Sequence, residues 1–142
     1  MPIQQIDPKT AHEQMGKDPG AVLIDVRTVE EFVAGHPKGA KNIPVRMRDA
    51  TSGQMLPNAD FGAIAGKLAS KDQAIYCTCR SGQRSLMAAM ILEQMGYAKL
   101  FNIKGGFEGS ETTRGWADEG LPVSNDNGAG VSYESLRAQG QK

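Results

Sequence analysis

Hydrophobic positions along the chain come in short bursts of two kinds, set apart by glycine- and proline-rich punctuation. One kind is continuous. Ala21-Val22-Leu23-Ile24-Asp25-Val26, Ala40 to Ile43 and Gln73 to Cys77 are short apolar runs, as expected of strands buried on both faces, and Leu100 to Ile103 gives a last one. The other kind is periodic and predicts helices. A polar helix runs from about Pro8 to Lys17 and closes at Asp18-Pro19-Gly20. Thr28 caps a second, with Glu31 as its capping-box partner, and Gly35 stops it. Asn58 to Leu68 carries Phe61, Ile64 and Leu68 at core spacing. Arg84 to Met95 is apolar almost all round, which predicts a helix buried between the sheet and its neighbours, with Met87, Met90 and Met95 in the core. Strands alternating with helices argue for an α/β domain, a mostly parallel central sheet with helices on both faces.

Length and composition narrow the classes. A chain of 142 residues is the size of one domain. We expect it to occupy residues 1–123, because from Ser124 to Lys142 the sequence turns polar and Gly-rich, with Val131, Tyr133 and Leu136 as its anchors. A short helix is expected from about Ser132. Sixteen basic and sixteen acidic side chains cancel, removing the bulk attraction that nucleic acid or an anionic membrane would reward. Neither partner is expected. The longest apolar run, Leu86 to Leu92, is seven residues, far below the roughly 18 needed to cross a bilayer, and the amino terminus has no signal-peptide pattern. The expectation is a cytoplasmic protein.

Two cysteines, Cys77 and Cys79, stand one residue apart, too close for an ordinary structural disulfide and too few for a four-ligand zinc site. Chemistry is the better reason for at least one of them. Cys79-Arg80-Ser81-Gly82-Gln83-Arg84-Ser85 follows a buried strand and leads into a helix, the default ligand crevice of a parallel sheet. Consecutive backbone N–H groups entering a helix N-terminus cradle an anion, Gly82 lets the backbone curl, and Arg80 and Arg84 add positive charge that favours a thiolate. Aligned donors are worth about 10²–10³ each in rate where measured in oxyanion holes, so the loop is expected to act chiefly as an anion cradle.

These residues resemble the rhodanese-homology sulfurtransferases in their single-domain form. Leu23 to Arg27, Glu31-Phe32, Gly35-His36-Pro37-Lys38-Gly39-Ala40 and Asn42-Ile43-Pro44 look like the family's first signature. Cys79 to Ser85 looks like its active-site loop, and Gly105-Gly106-Phe107 with Gly120-Leu121-Pro122-Val123 like its closing motif. The resemblance implies ping-pong transfer of sulfane sulfur. Cys79 takes sulfur from thiosulfate or a similar small anionic donor as a persulfide, and passes it to cyanide, a cellular thiol or a thiol-bearing protein. Arg80, Ser81, Gly82, Gln83 and Arg84 would bind the persulfide or substrate, with no organic cofactor and no metal. A sulfur-relay or regulatory binding module is the alternative. Dual-specificity phosphatases and arsenate reductases share the fold but need five residues between cysteine and arginine, where this chain has the four from Arg80 to Gln83.

Other residues have plainer expected roles. Cys77 is read as core, with a resolving thiol as the alternative. Asp25, Arg27 and Glu31 are read as a structural charge network, and His36 as a hydrogen-bonded turn residue. Lys38, Lys41, Arg46 and Arg48 form either a solvated face or a cationic border to the mouth. Trp116 arrives later than the family pattern, after Glu108 to Gly115, so either it still packs on the core or that stretch forms a lip over the site.

Overall fold

The computed structural model describes residues 3–128 and 130–140, leaving Met1, Pro2, Ala129, Gln141 and Lys142, the ends and one position of the expected domain and tail, outside the described residues. The chain opens with strand β1 (Ile3–Ile6) and helix α1 (Pro8–Gly16), then β2 (Val22–Asp25) and α2 (Val29–Ala34). Short strands β3 (His36–Pro37), β4 (Lys41–Asn42), β5 (Arg46–Arg48) and β6 (Met55–Pro57) precede α3 (Phe61–Leu68). Strand β7 (Ile75–Thr78), α4 (Gln83–Gln94), β8 (Leu100–Ile103), β9 (Val123–Ser124) and α5 (Tyr133–Gly140) complete it.

Five strands form one sheet in the order β1-β8-β7-β2-β4, every pairing parallel. Alternation along the central strands sorts their side chains into two cores. Val22, Ile24, Ile75, Cys77 and Leu100 face α3, α4 and α5, while Leu23, Tyr76 and Ile103 face α1 and α2. The predicted α/β architecture, with helices on both faces of a parallel sheet, is therefore the observed one. Local chemistry starts the helices where expected. Asp7 caps α1 through the Thr10 amide (2.7 Å), with Pro8 in its first turn, and Thr28 and Glu31 make the reciprocal capping box of α2.

The structure adds elements the pattern does not announce. Strand β1 reads Ile-Gln-Gln-Ile; it lies on a sheet edge and exposes both glutamines, so only its ends are apolar. The β5–β6 hairpin and the β3–β9 pair are two-stranded ribbons too short to show alternation. Helix α4 corrects the expectation of all-round burial. Ser85, Ala88, Ala89 and Leu92 are buried, but Met87 and Met90 face solvent because, among the described residues, no element covers the helix's outer side. Met95 packs against the core from a partly buried position.

Beyond Ser124 the chain returns to the body. Tyr133 and Leu136 of α5 are buried in the same core as α3, and the Asn58 amide donates to Tyr133 Oη at 3.1 Å. Asn42 N–H donates to the Val131 carbonyl (2.9 Å), closing the edge beyond β4. Among the described residues no helix is long and apolar enough to cross a membrane. Truncating Leu136 to alanine removes a buried anchor from this core, and is expected to cost about 2–4 kcal/mol in urea-induced unfolding.

Candidate functional site

Cys79 lies just past the carboxyl end of β7, where the strand yields to a loop that becomes α4. Gly82 is the residue before the helix, with φ of +106°, and supplies no side-chain cap. The first N–H groups of α4 thus lack both an intrahelical acceptor and a side-chain cap. Gly82 N–H donates to Cys79 Sγ at 3.0 Å. Cys79 is 1% exposed, so its sulfur lies at the floor of the loop.

The loop is held from outside by a second backbone. Phe107 N–H donates to the Cys79 carbonyl (2.7 Å) and Glu108 N–H to the Arg80 carbonyl (2.9 Å). The approach is so close that a Cβ on Gly106, whose φ is +56°, would collide with the Cys79 carbonyl oxygen and lie 2.8 Å from the Arg80 carbonyl carbon. A Cβ on Gly82 would meet Gly105 N at 3.3 Å. The stretch from Glu108 to Gly115 extends from this clamp, and Trp116 beyond it is buried, its indole N–H donating to the Pro122 carbonyl (2.7 Å). Trp116 therefore keeps its place in the core despite its late position.

Behind the sulfur runs a polar chain. The Cys79 thiol donates to Ser85 Oγ (3.4 Å), and Ser85 donates to Asn102 Oδ1 on β8. Asn102 Nδ2 donates to Gln5 Oε1 (2.8 Å) and to the Gly82 carbonyl (3.2 Å). A carbonyl only accepts, so the Gly82 contact fixes which end of the Asn102 amide faces it and leaves Oδ1 toward Ser85. The Ser85 proton is thereby committed to Asn102. Sequence reasoning assigned no role to Asn102, Gln5 or the Ser85 hydroxyl. The available signal was a polar residue inside the apolar strand Leu-Phe-Asn-Ile.

The expected charges are arranged differently from a free cationic ring. Arg84 forms a two-pronged pair with Glu31 of α2, at 2.8 and 3.0 Å, so its charge is matched. Burial alone would raise the Glu31 carboxyl, but the Arg84 hydrogen bond and the Thr28 N–H outweigh it and hold the group at about 2 instead of 4.5. The same Glu31 hydrogen bond holds the Arg84 guanidinium above its ordinary value. Arg80 points outward to Glu108 (3.2 Å), and both are largely exposed, so this pair contributes little to stability. Gln83 is exposed and Ser81 half-buried; what the loop turns inward is backbone.

Neighbouring residues serve as scaffold. Arg27 and Asp25 are both buried and paired at 2.7 Å, and Arg27 also donates to the Gly35 carbonyl (2.7 Å) and stacks over Phe107. Glu31 belongs instead to the Arg84 pair. His36 is buried in β3, its ring stacked on Phe32 at 3.6 Å with Nδ1 2.8 Å from the Phe32 carbonyl. Cys77 is fully buried, and burial with the nearby Cys79 charge pushes its thiol up to about 12. Both cysteines are free thiols. Among the described residues no cluster of His, Cys, Asp or Glu is arranged to hold a metal ion.

Two consequences are measurable. Gly106→Ala, which adds both a clash and left-handed strain, should cost about 2–4 kcal/mol in chemical denaturation. Gly120→Ala, with φ of +74° but open space around it, should cost about 1–2 kcal/mol. Because the folded-state Glu31 value lies below its unfolded one, its stabilisation is complete above about pH 4.5 and lost as pH falls toward 2. The stability advantage of the native chain over Glu31→Gln should shrink across that window, as read by denaturant midpoints at each pH.

Comparison with known proteins agrees with the geometry. The chain matches the rhodanese-like domain over residues 7–112. It is 32% identical over 123 residues to thiosulfate sulfurtransferase GlpE of Haemophilus influenzae (strain ATCC 51907 / DSM 11121 / KW20 / Rd), covering 87% of this chain and 96% of that protein. It is 36% identical over 104 residues to the chloroplastic thiosulfate sulfurtransferase 16 of Arabidopsis thaliana, covering 73% and 80%. Among solved structures, that of Rv0390 from M. tuberculosis superposes with a TM-score of 0.71 at 28% identity, covering 87% of this chain and 98% of that one. A cysteine-bearing loop between strand and helix, clamped by a glycine pair, thus occurs here in a chain that belongs to the rhodanese-like domain family.

Proposed function

We propose that this protein transfers sulfane sulfur from thiosulfate, or a similar anionic donor, to a thiophilic acceptor through a persulfide on Cys79. The observation that carries the reading is the Gly82 N–H aimed at Cys79 Sγ from the uncapped start of α4. The Cys79 thiolate attacks the outer sulfur of thiosulfate, a new S–S bond forms, and the old S–S bond breaks with its electron pair leaving on sulfite. Inward-facing N–H groups of the loop from Arg80 to Arg84 hold the charge as it moves onto the persulfide. Cyanide or a thiolate then attacks the terminal sulfur and returns the electron pair to Cys79. No metal or organic cofactor enters this scheme.

The charge pairing supports a division of labour. With Arg84 matched by Glu31, stabilisation falls to fixed backbone dipoles, which need no reorganisation during the reaction. Four residues between Cys79 and Arg84 make a ring suited to a single sulfur more than to a tetrahedral phosphate. The purified protein should release sulfite and form thiocyanate from thiosulfate plus cyanide, gain one sulfur atom in intact mass with thiosulfate alone, and leave an aryl phosphate intact. Cys79→Ser should reduce turnover to background. Sulfite release by the serine variant, or efficient phosphate release by the native chain, would reverse the assignment.

A further inference from the structure

Thiosulfate is small, and on the proposed reading the loop alone would hold it. Beside the loop, however, lies a cavity of about 370 Å³, lined by Thr28 and Glu30 at the start of α2 and by Arg46, Met47, Arg48 and Met55 of the β5–β6 hairpin. Its volume falls in the range of small-molecule sites.

Two links connect it to the Cys79 loop. A single Glu31 oxygen, Oε1, accepts from Arg84 at the end of the loop (2.8 Å) and from Thr28 Oγ1 on the cavity wall (3.1 Å). The backbone repeats the connection. Thr78, immediately before Cys79, accepts from Val26 N–H, and Val26 accepts from Val45 N–H between the lining residues Pro44 and Arg46. The cavity therefore lies between α2 and the hairpin, joined to both ends of the loop by these bonds.

Its chemistry differs from that of the loop. Arg84 and Arg80 each have a carboxylate partner. Arg46 and Arg48 instead donate to neutral backbone carbonyls, of Met55 (3.3 Å) and Gly53 (2.7 Å). Arg46 Nε is buried with no hydrogen-bond partner, a donor whose desolvation is uncompensated in the unliganded protein. The expected basic face thus divides, since Lys38 lines a different cavity and Lys41 donates to the Gly130 carbonyl. Against the two guanidiniums the cavity sets one carboxylate, Glu30, and methionine and valine side chains supply an apolar floor.

We propose that this cavity binds a carboxylate-bearing, low-molecular-mass thiol as the sulfur acceptor, an assignment that rests on the sulfur-transfer reading of Cys79. Arg46 and Arg48 receive the carboxylate while the aliphatic part lies on Met47 and Met55, leaving the sulfur directed toward the loop. The acceptor thiol gives its proton to solvent, and its thiolate attacks the outer persulfide sulfur. A new S–S bond forms, the bond to Cys79 breaks, and the electron pair returns to Cys79 Sγ.

The test compares 3-mercaptopropionate with neutral 2-mercaptoethanol as acceptors for the persulfide-loaded protein. Arg46→Gln and Arg48→Gln should each raise the half-saturating concentration of the carboxylate thiol, relative to the neutral one, about three- to fivefold, as befits a solvent-accessible ion pair. Glu30→Gln should lower the same ratio. A ratio that stays at the native value in all three variants would overturn the proposal, as would equal shifts for both thiols. S-methylglutathione, which cannot accept sulfur, provides a second readout. It should shift the amide resonances of Val29, Met47 and Met55 saturably in the native chain and not in the Arg46→Gln/Arg48→Gln protein. Absence of those shifts in a protein that does release sulfite overturns the acceptor site alone. Their presence in a protein that releases none upholds a carboxylate-binding site and overturns sulfur transfer.

Discussion

Two stretches of backbone with no side chains between them hold the site together. Gly82 and Gly106 let the Cys79 loop and the Gly105–Glu108 turn approach until the Cys79 and Arg80 carbonyls accept from Phe107 and Glu108. With those carbonyls held from outside, the loop is fixed around the sulfur, to which Gly82 N–H donates. Asn102 adds a third constraint by donating to the Gly82 carbonyl, so the glycine that points its N–H at Cys79 is restrained at both ends of its peptide geometry.

The Arg84–Glu31 pair ties this loop to α2 and so to the adjacent edge of the sheet. Glu31 is also the capping-box residue of α2. One carboxylate therefore ends a helix's unmet N–H demand, neutralises the last charge of the loop and bonds a hydroxyl of the adjoining cavity. Such sharing favours coordinated rather than independent positioning of the loop and the cavity wall, because moving any one partner disturbs the bonds of the others.

Local patterns made much of this legible. Continuous burial of Val22–Asp25 and Ile75–Thr78 follows directly from their apolar runs, and the reciprocal Thr28 and Glu31 bonds appear where the spacing put them. The position of Cys79 between strand and helix was readable for the same reason. What escaped was whatever depends on distant partners. The match between Arg84 and Glu31 joins residues 53 positions apart, and Asn102 meets Gln5 across 97. Helix α4 misled because composition records how apolar a surface is, not whether another element covers it; Met87 and Met90 look the same either way until the layer above is known to be missing.

Cys77 shows how placement governs the fate of a mobile atom. It shares a core with Cys79, two residues away on the same chain, yet desolvation keeps its thiol protonated up to about 12. Under the proposed sulfur transfer, a sulfur atom on Cys79 would find no thiolate on Cys77 to capture it. Its departure would then depend on an acceptor arriving from outside, and the domain would serve as a reservoir emptied from its surface.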